Sequence, residues 1–230
     1  MSIKLGCSLS PQVDANSTVN LKLDYNGLAL IYKSKSELME MKHDFQDNRL
    51  QKRTLEKNQA LFKACNNRQK SLKTLLDLTA GWGHDSYLLA SQGLQVTMLE
   101  INPVICLLLQ NSLENSRNNQ DETTRCLNLI NISSLQYLQS RPEKADCIYL
   151  DPMFPIHKSS AKAKKPLQFL QSLTRNIDLE QAFELSLQQA GNRVVVKRPA
   201  HAEAFNNHQP DIVYQEKTIR FDVYLSKPES

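Results

Sequence analysis

The sequence has 230 residues, of which 40% are apolar and 23% charged, and a formal net charge of +4 at pH 7. This length fits one domain with a small attachment, and the mild positive charge permits a nucleic-acid partner without requiring one. Five scattered cysteines with no CxxC pair argue against a disulfide framework or a metal site. Residues 1–10 lack the plan of a signal peptide and no apolar run approaches membrane-spanning length, so we expect a cytoplasmic protein without a membrane partner.

The first part of the chain, residues 1–68, is predicted to form a small extension. Residues 19–23 alternate between apolar and polar side chains, and residues 28–32 follow as a second strand after the turn signal Asn26-Gly27. Residues 44–67 are polar and basic with helical spacing of the apolar positions. We therefore expect short strands followed by a helix in this extension.

From residue 69 to residue 230, strand-like and helix-like segments alternate. Strands are expected at residues 74–78, 95–99, 126–130, 145–150 and 193–197, and helices at 84–92, 103–115, 134–138 and 179–189. Residues 212–214 and 219–225 add two strands joined as a hairpin. Such alternation is typical of an α/β fold in which helices cover both faces of a mostly parallel sheet.

A glycine-bearing turn follows the first strand of this domain. Gly81 and Gly83 let the backbone approach a ligand closely, and Glu100, at the end of the next strand, is placed to accept hydrogen bonds from ribose hydroxyls. A dinucleotide would want a third glycine where Ser86 stands, whereas Asp77 suits a ligand with an ammonium and a sulfonium. The turn therefore favours S-adenosyl-L-methionine as cofactor, with a dinucleotide as the alternative.

A second motif, Asp151-Pro152-Met153-Phe154-Pro155, follows the apolar residues 147–150. Asp151 and the carbonyl of Pro152 can accept the two N–H bonds of an exocyclic amine, and Phe154 can stack on its base, so all three are candidate catalytic residues. On the alternative reading, the prolines merely end a strand and Phe154 packs inward. Because the cofactor turn precedes the motif, we favour methylation of an amine.

Basic residues surround this motif and suggest contacts with RNA phosphates. The candidates in the loop after the motif are Lys158, Lys162, Lys164 and Lys165, and those at the end of a later strand are Lys197 and Arg198. A solvated loop and a capped sheet edge are the alternatives.

Six segments together resemble the RsmJ family of bacterial methyltransferases. They are residues 77–85 (DLTAGWGHD), 98–103 (MLEINP), 133–134 (SS), 149–155 (YLDPMFP), 194–199 (VVVKRP) and 220–222 (RFD). The family makes N2-methylguanosine in the 16S ribosomal RNA of the small subunit. The resemblance implies a class I S-adenosyl-L-methionine-dependent methyltransferase, with a Rossmann-like sheet of seven strands, the last antiparallel.

The resemblance also implies further cofactor contacts. They are made by His84, Asp85, Glu100, Ile101, Ser133, Ser134 and Asp151. His84 and Ile101 stand where the family usually has Arg, and the family's glycine-rich basic segment has no glycine at residues 44–49 here.

Three other functions compete with this interpretation. A different amine methyltransferase, acting on adenine or on a protein glutamine, usually has a second proline where Met153 stands. A non-catalytic RNA-binding module would have lost the cofactor residues, which are intact. A dinucleotide-dependent oxidoreductase would need hydride-handling residues, and none are evident.

Overall fold

The computed structural model describes residues 19–24, 27–33, 38–55, 59–66, 71–140, 142–152 and 179–226. In this part of the chain a seven-stranded sheet has the order β6-β5-β4-β7-β8-β10-β9. Its strands are β4 (Thr74–Asp77), β5 (Gln95–Leu99), β6 (Leu127–Ile130), β7 (Cys147–Leu150), β8 (Arg193–Pro199), β9 (Ile212–Gln215) and β10 (Ile219–Leu225). Strands β4 to β8 pair in parallel, and β10 runs antiparallel to both β8 and β9. The predicted fold class, including its antiparallel last strand, is confirmed.

Helices cover both faces of this sheet. The described helices are α1 (Asn48–Leu55), α2 (Gln59–Cys65), α3 (His84–Ala90), α4 (Pro103–Asn118), α5 (Glu122–Arg125), α6 (Ser134–Gln139) and α7 (Leu179–Gln189), with a 3-10 turn at Phe205–Asn207. Alternate strand residues face opposite sides, as the pleat requires: Leu75 packs in the core with α2, α3 and α4, and Leu76 in the core with α6 and α7. None of the described helices is long and apolar enough to cross a bilayer.

The N-terminal residues form a three-stranded antiparallel sheet of β1 (Val19–Asp24), β2 (Gly27–Lys33) and β3 (Leu38–Lys42). This sheet is attached to α4, where Asn111 Oδ1 accepts a hydrogen bond from the Leu28 N–H at 3.0 Å. Phe45 follows β3, is fully buried, and donates its N–H to Ser112 Oγ at 3.1 Å. The N-terminal strands therefore share a core with the α/β sheet.

Three local expectations needed correction. Strand β3 was not predicted, and neither was the four-residue helix α5. Two helices, α1 and α2, are described where a single helix was expected over residues 44–67. Helix α1 begins only at Asn48, since Asp44 and Asp47 accept backbone N–H bonds two residues ahead of themselves.

Candidate active site

The glycine turn joins β4 to α3, and its two glycines differ in how well each could be replaced by alanine. Gly81 and Gly83 both lie in the left-handed region, with φ of 52° and 66°. A Cβ on Gly83 would come within 3.3 Å of side-chain atoms of Phe45, Met98 and Leu109, whereas one on Gly81 would meet only the Thr79 carbonyl at 3.8 Å. Gly83 is therefore fixed by close packing, and Gly81 leaves open space beside the turn.

Asp77 braces this turn from inside. Its Oδ1 accepts the Thr79 N–H at 2.9 Å and its Oδ2 accepts the Ser86 hydroxyl at 2.6 Å. Burial raises the pKa of Asp77 to about 7, against the lowering effect of those two hydrogen bonds. The sequence predicted that Asp77 binds the cofactor. Each of its oxygens accepts one hydrogen bond from the protein and the residue is only 2% exposed, so we expect it to act on a bound cation mainly through its charge.

Glu100, directly after β5, lies beside the turn. Its Oε2 accepts the Gly81 N–H at 3.0 Å and its Oε1 accepts the Asn102 N–H at 2.7 Å. Burial raises the pKa of Glu100 to about 7, and the charge of Asp77 adds to this, while the backbone hydrogen bonds oppose it. Asn102 in turn caps α4 by accepting the N–H groups of Val104 and Ile105.

The two buried carboxylates fit S-adenosyl-L-methionine better than a dinucleotide. An ammonium or sulfonium nearby would favour the ionised forms of Asp77 and Glu100, whereas a pyrophosphate would be repelled by them. Each oxygen of Glu100 accepts one hydrogen bond from the protein and has a second lone pair for a ribose hydroxyl.

Ser133 and Ser134 lie at the start of α6, next to the end of β4. Ser133 caps α6, its Oγ accepting the Gln136 N–H at 3.2 Å, and the Ser134 hydroxyl donates to the Leu78 carbonyl at the end of β4. Ile101 follows Glu100, and its carbonyl accepts a hydrogen bond from the Asn131 side chain at 3.3 Å. The expected cofactor residues are thus gathered at the carboxyl ends of β4, β5 and β6, although Ser133 and Ser134 use their hydroxyls structurally.

His84 begins α3 and lies next to a ring stack that the sequence did not reveal. The rings of His43 and Trp82 are 5.1 Å apart and those of His43 and His84 are 5.9 Å apart, measured between centroids. Burial, followed by the charge of His84, lowers the pKa of His43 to about 4. His43 is therefore neutral at pH 7 and donates its Nε2–H to the Trp82 carbonyl at 2.7 Å.

Asp151 stands at the end of β7 and is held from two sides. Its backbone N–H donates to Thr79 Oγ1 at 2.6 Å, and its Oδ2 accepts a hydrogen bond from the Lys197 ammonium at 2.8 Å. Lys197 also donates to Asp85 Oδ2 at 2.8 Å, and the Tyr149 hydroxyl donates to the same oxygen at 2.8 Å. The candidate catalytic carboxylate is thus connected to the cofactor turn and to the helix that follows it.

The remaining candidates divide into two groups. Pro152 is described and buried, whereas Phe154 and the loop lysines lie outside the described residues. Those lysines are Lys158, Lys162, Lys164 and Lys165. The two cations at the end of β8 have protein partners: Lys197 binds the carboxylates of Asp85 and Asp151, and Arg198 donates to the Glu203 carbonyl and lies over the Phe205 ring. Lys197 thus binds carboxylates of the protein, and the contacts of Lys197 and Arg198 with RNA phosphates stay a prediction.

The comparisons with known proteins agree with this geometry. A family model described as "Putative SAM-dependent methyltransferase" matches residues 5–226. Two relatives are named ribosomal RNA small subunit methyltransferase J. The one from Coxiella burnetii is 41% identical over 175 residues, which cover 76% of this chain and 69% of the relative. The one from Buchnera aphidicola is 36% identical over 221 residues, which cover 92% of this chain and 88% of the relative. The chain belongs to the ribosomal RNA small subunit methyltransferase J family. This membership confirms the predicted family, the predicted reaction class of methyl transfer, and S-adenosyl-L-methionine as cofactor.

A solved structure supports the same family assignment. The SAM-dependent methyltransferase from Neisseria gonorrhoeae is 26% identical, superimposes with a TM-score of 0.73, and covers 96% of this chain and 88% of its own. That coverage extends over the N-terminal strands as well as the α/β sheet of this methyltransferase J family member.

Sequence reasoning missed the contacts that connect these residues. Thr79, Tyr149 and Lys197 were not recognised as partners of Asp151 and Asp85. For Lys197 a signal was present, since Asp151 directly follows β7 and Lys197 lies near the end of the neighbouring parallel strand β8, where Leu150 lies opposite Val196. For Tyr149, which lies inside an apolar strand, no such signal existed.

Proposed function

We propose that this enzyme methylates the exocyclic N2 of a guanosine in the 16S ribosomal RNA of the small subunit. The relatives' name, ribosomal RNA small subunit methyltransferase J, supports the substrate class. The observation that carries the proposal is the position of Asp151, which directly follows β7 and whose backbone N–H donates to Thr79 in the turn after the neighbouring strand β4. An enzyme with this substrate would act in the cytoplasm.

Asp151 and Pro152 would bind the amine. The lone pair of a guanine amine is delocalised into the ring, so hydrogen bonds accepted from both N–H groups favour the pyramidal, nucleophilic geometry. Within the described residues, Asp151 Oδ1 has no hydrogen-bond partner, since Lys197 occupies Oδ2. We assign Oδ1 and the Pro152 carbonyl as the two acceptors, and Phe154 as the residue that stacks on the base.

When bound, S-adenosyl-L-methionine would supply an electrophilic methyl group: the amine lone pair would form the new N–C bond in line with the S–C bond, and the thioether would leave with the S–C electrons. The protein orients the amine, and the negative charge of Asp151 offsets the positive charge that develops on the nitrogen. The nitrogen then loses a proton to water or to Asp151. A guanine in a stacked helix is unreachable, so an unpaired or flipped base is required.

The cofactor roles follow the same proposal. We assign Glu100 to the ribose hydroxyls, and the backbone of the glycine turn together with Asp85 to the methionine end. The charge of Asp77 would stabilise the ammonium from behind the turn. Ile101, Ser133 and Ser134 would border the adenine, chiefly through their backbone.

RNA binding is assigned to the loop lysines, by their charge alone, and to the extension. We propose that residues 1–68 extend a methyltransferase domain of residues 69–230. The extension holds Arg49 and Arg53 beside Trp82 and His84, around a cavity of about 490 Å³. These cations stand near the glycine turn, as a contact to phosphates flanking the target would need.

The test compares Asp151→Ala with the wild type in single-turnover methyl transfer to small-subunit RNA. We expect the rate to fall by about 100-fold or more, with RNA affinity changed by less than about threefold because the phosphate contacts that dominate affinity are untouched. A near-wild-type rate would refute the role of Asp151.

A further inference from the structure

The ammonium of Lys197 is held between two carboxylates that come from different parts of the fold. Its Nζ lies 2.8 Å from Asp85 Oδ2 and 2.8 Å from Asp151 Oδ2. Asp85 belongs to the first turn of α3, Asp151 follows β7, and Lys197 lies near the end of β8. The lysine therefore connects the helix after the cofactor turn to the amine-binding motif.

The two ends of this bridge differ in their surroundings. The side chain of Asp85 is 14% exposed and also accepts the Tyr149 hydroxyl, whereas that of Asp151 is 36% exposed. Burial raises the pKa of Asp85, but the charge and hydrogen bond of Lys197, helped by Tyr149 and Arg53, outweigh it and leave that pKa below its usual value. Asp85 is thus an ionised anchor, and Asp151 is the end that faces the site.

We propose that Lys197 is a positioning residue for methyl transfer: anchored by Asp85, it keeps the Asp151 carboxylate ionised and leaves one of its oxygens for the substrate amine. This inference rests on the proposed function of Asp151. It gives a role in catalysis to a cation that would otherwise be read as a phosphate contact.

The charges of the cluster support this role. Among the described residues, Asp85 is paired with both Lys197 and Arg53, whereas Asp151 is paired with Lys197 alone, so Asp151 is the less compensated carboxylate beside the nitrogen that becomes positive during transfer. Burial raises the pKa of Asp151; Lys197 opposes this and the charge of Asp85 adds to it, so that the net shift is upward but smaller than it would be without Lys197. Without the ammonium, Asp151 would have the carboxylate of Asp85 as its neighbour, offset only by Arg53 on the other oxygen of Asp85, and would be protonated nearer to neutral pH.

Lys197 itself does not act as a base. Burial lowers the pKa of Lys197, but the two carboxylates raise it by more than burial lowers it. The net shift is therefore upward, and the side chain stays protonated. The other ionisable groups near Asp151 are the Tyr149 hydroxyl, whose pKa burial raises well above its usual value, and Arg53, which lies 3.7 Å from Asp85 Oδ1. Asp77 and Glu100 also have raised pKa values of about 7, and the positive charge of a bound cofactor favours their ionised forms. At saturating cofactor we therefore expect Asp151 to set the acid limb of the pH–rate profile.

The experiment measures the single-turnover rate against pH at saturating cofactor and RNA. Lys197→Met should move the acid limb to higher pH by about 1 to 3 units, the range that an adjacent opposite charge usually controls. It should also lower the rate at pH 7 by about 10- to 100-fold, because a misplaced catalytic group costs up to about 100-fold. Lys197→Arg, which keeps the charge, should restore most of the wild-type limb. Asp85→Asn removes a negative neighbour, so its limb should move toward lower pH even though its rate falls.

The control is Lys217→Met, which removes one positive charge from an exposed lysine. It should leave both the rate and the pH profile unchanged. Circular dichroism of each variant identifies any that has failed to fold. If one Lys197 or Asp85 variant fails, the direction in which the acid limb moves in the variants that do fold still tests the inference.

Three outcomes separate the hypotheses. A Lys197→Met enzyme with the wild-type acid limb would overturn the inference, and so would a loss confined to RNA affinity, which would indicate a phosphate contact. If the wild-type enzyme formed no N2-methylguanosine, the proposed function would fail whatever the pH profiles showed.

Discussion

Replacing Gly83 by alanine is expected to destabilise the protein much more than the same change at Gly81, two residues earlier in the same turn. Both glycines have left-handed backbones, which cost an alanine about 1–2 kcal/mol. At Gly83 the new methyl would also lie 3.2 Å from Phe45 Cζ and 3.3 Å from atoms of Met98 and Leu109, all buried. Such overpacking adds about 1–3 kcal/mol.

The expected losses are therefore about 1–2 kcal/mol for Gly81→Ala and about 2–5 kcal/mol for Gly83→Ala, summed from those two costs. Urea unfolding of both variants, followed by circular dichroism, measures the difference directly. Gly81→Ala is the matched control, since its methyl would meet nothing closer than 3.8 Å. Equal losses in the two variants would refute the claim that N-terminal Phe45 packs against the cofactor turn.

Three further predictions concern the site and its ionisation. The folded pKa values of Asp77 and Glu100 are about 7, above their ordinary values of 3.8 and 4.5, so the unfolded chain loses these protons at lower pH than the folded protein does. The free energy of unfolding should therefore fall as pH rises from about 4 to 7. Asp77→Asn should reduce that slope, as measured by urea unfolding at several pH values. An unchanged slope would contradict the raised pKa of Asp77. Thr79→Val leaves the Asp151 N–H without its acceptor. It should lower the free energy of unfolding by about 1–3 kcal/mol and slow methyl transfer. Full activity at saturating substrate would exclude a positioning role for the Thr79 hydroxyl. Replacing residues 162, 164 and 165 together by alanine should weaken RNA binding. The slope of the log binding constant against log salt concentration should become shallower by up to about 2, at about 0.7 for each phosphate contact on a single strand. An unchanged slope would indicate that these lysines do not contact RNA.

The order of the elements in the α/β sheet could be predicted because its signals are local. Buried parallel strands appear as short apolar runs, and Pro103 and Ser133 mark helix starts that the structure confirms. Strand β3 was missed because its sequence, LMEMK, has no β-branched residue. Helix α5 was missed because four residues carry too little periodicity to recognise.

The composition of the site could be predicted better than its contacts. The motifs identified Glu100 and Asp151 by their positions after strands, and the fold brings those strand ends together. Which hydrogen bonds their oxygens make depends on neighbouring strands and helices distant in the sequence, and no local pattern encodes that. Lys197 shows the difference, since its position was noted but its partners, 46 and 112 residues away, were not.

The most direct test of the central claim is nucleoside mass spectrometry of small ribosomal subunits that lack the modification, after incubation with the enzyme and labelled S-adenosyl-L-methionine. We expect label in N2-methylguanosine from 16S ribosomal RNA, at levels that fall with Asp151→Ala. Label in another nucleoside or in ribosomal protein would contradict the proposed substrate. Cofactor binding with no transfer to the subunit would contradict it as well.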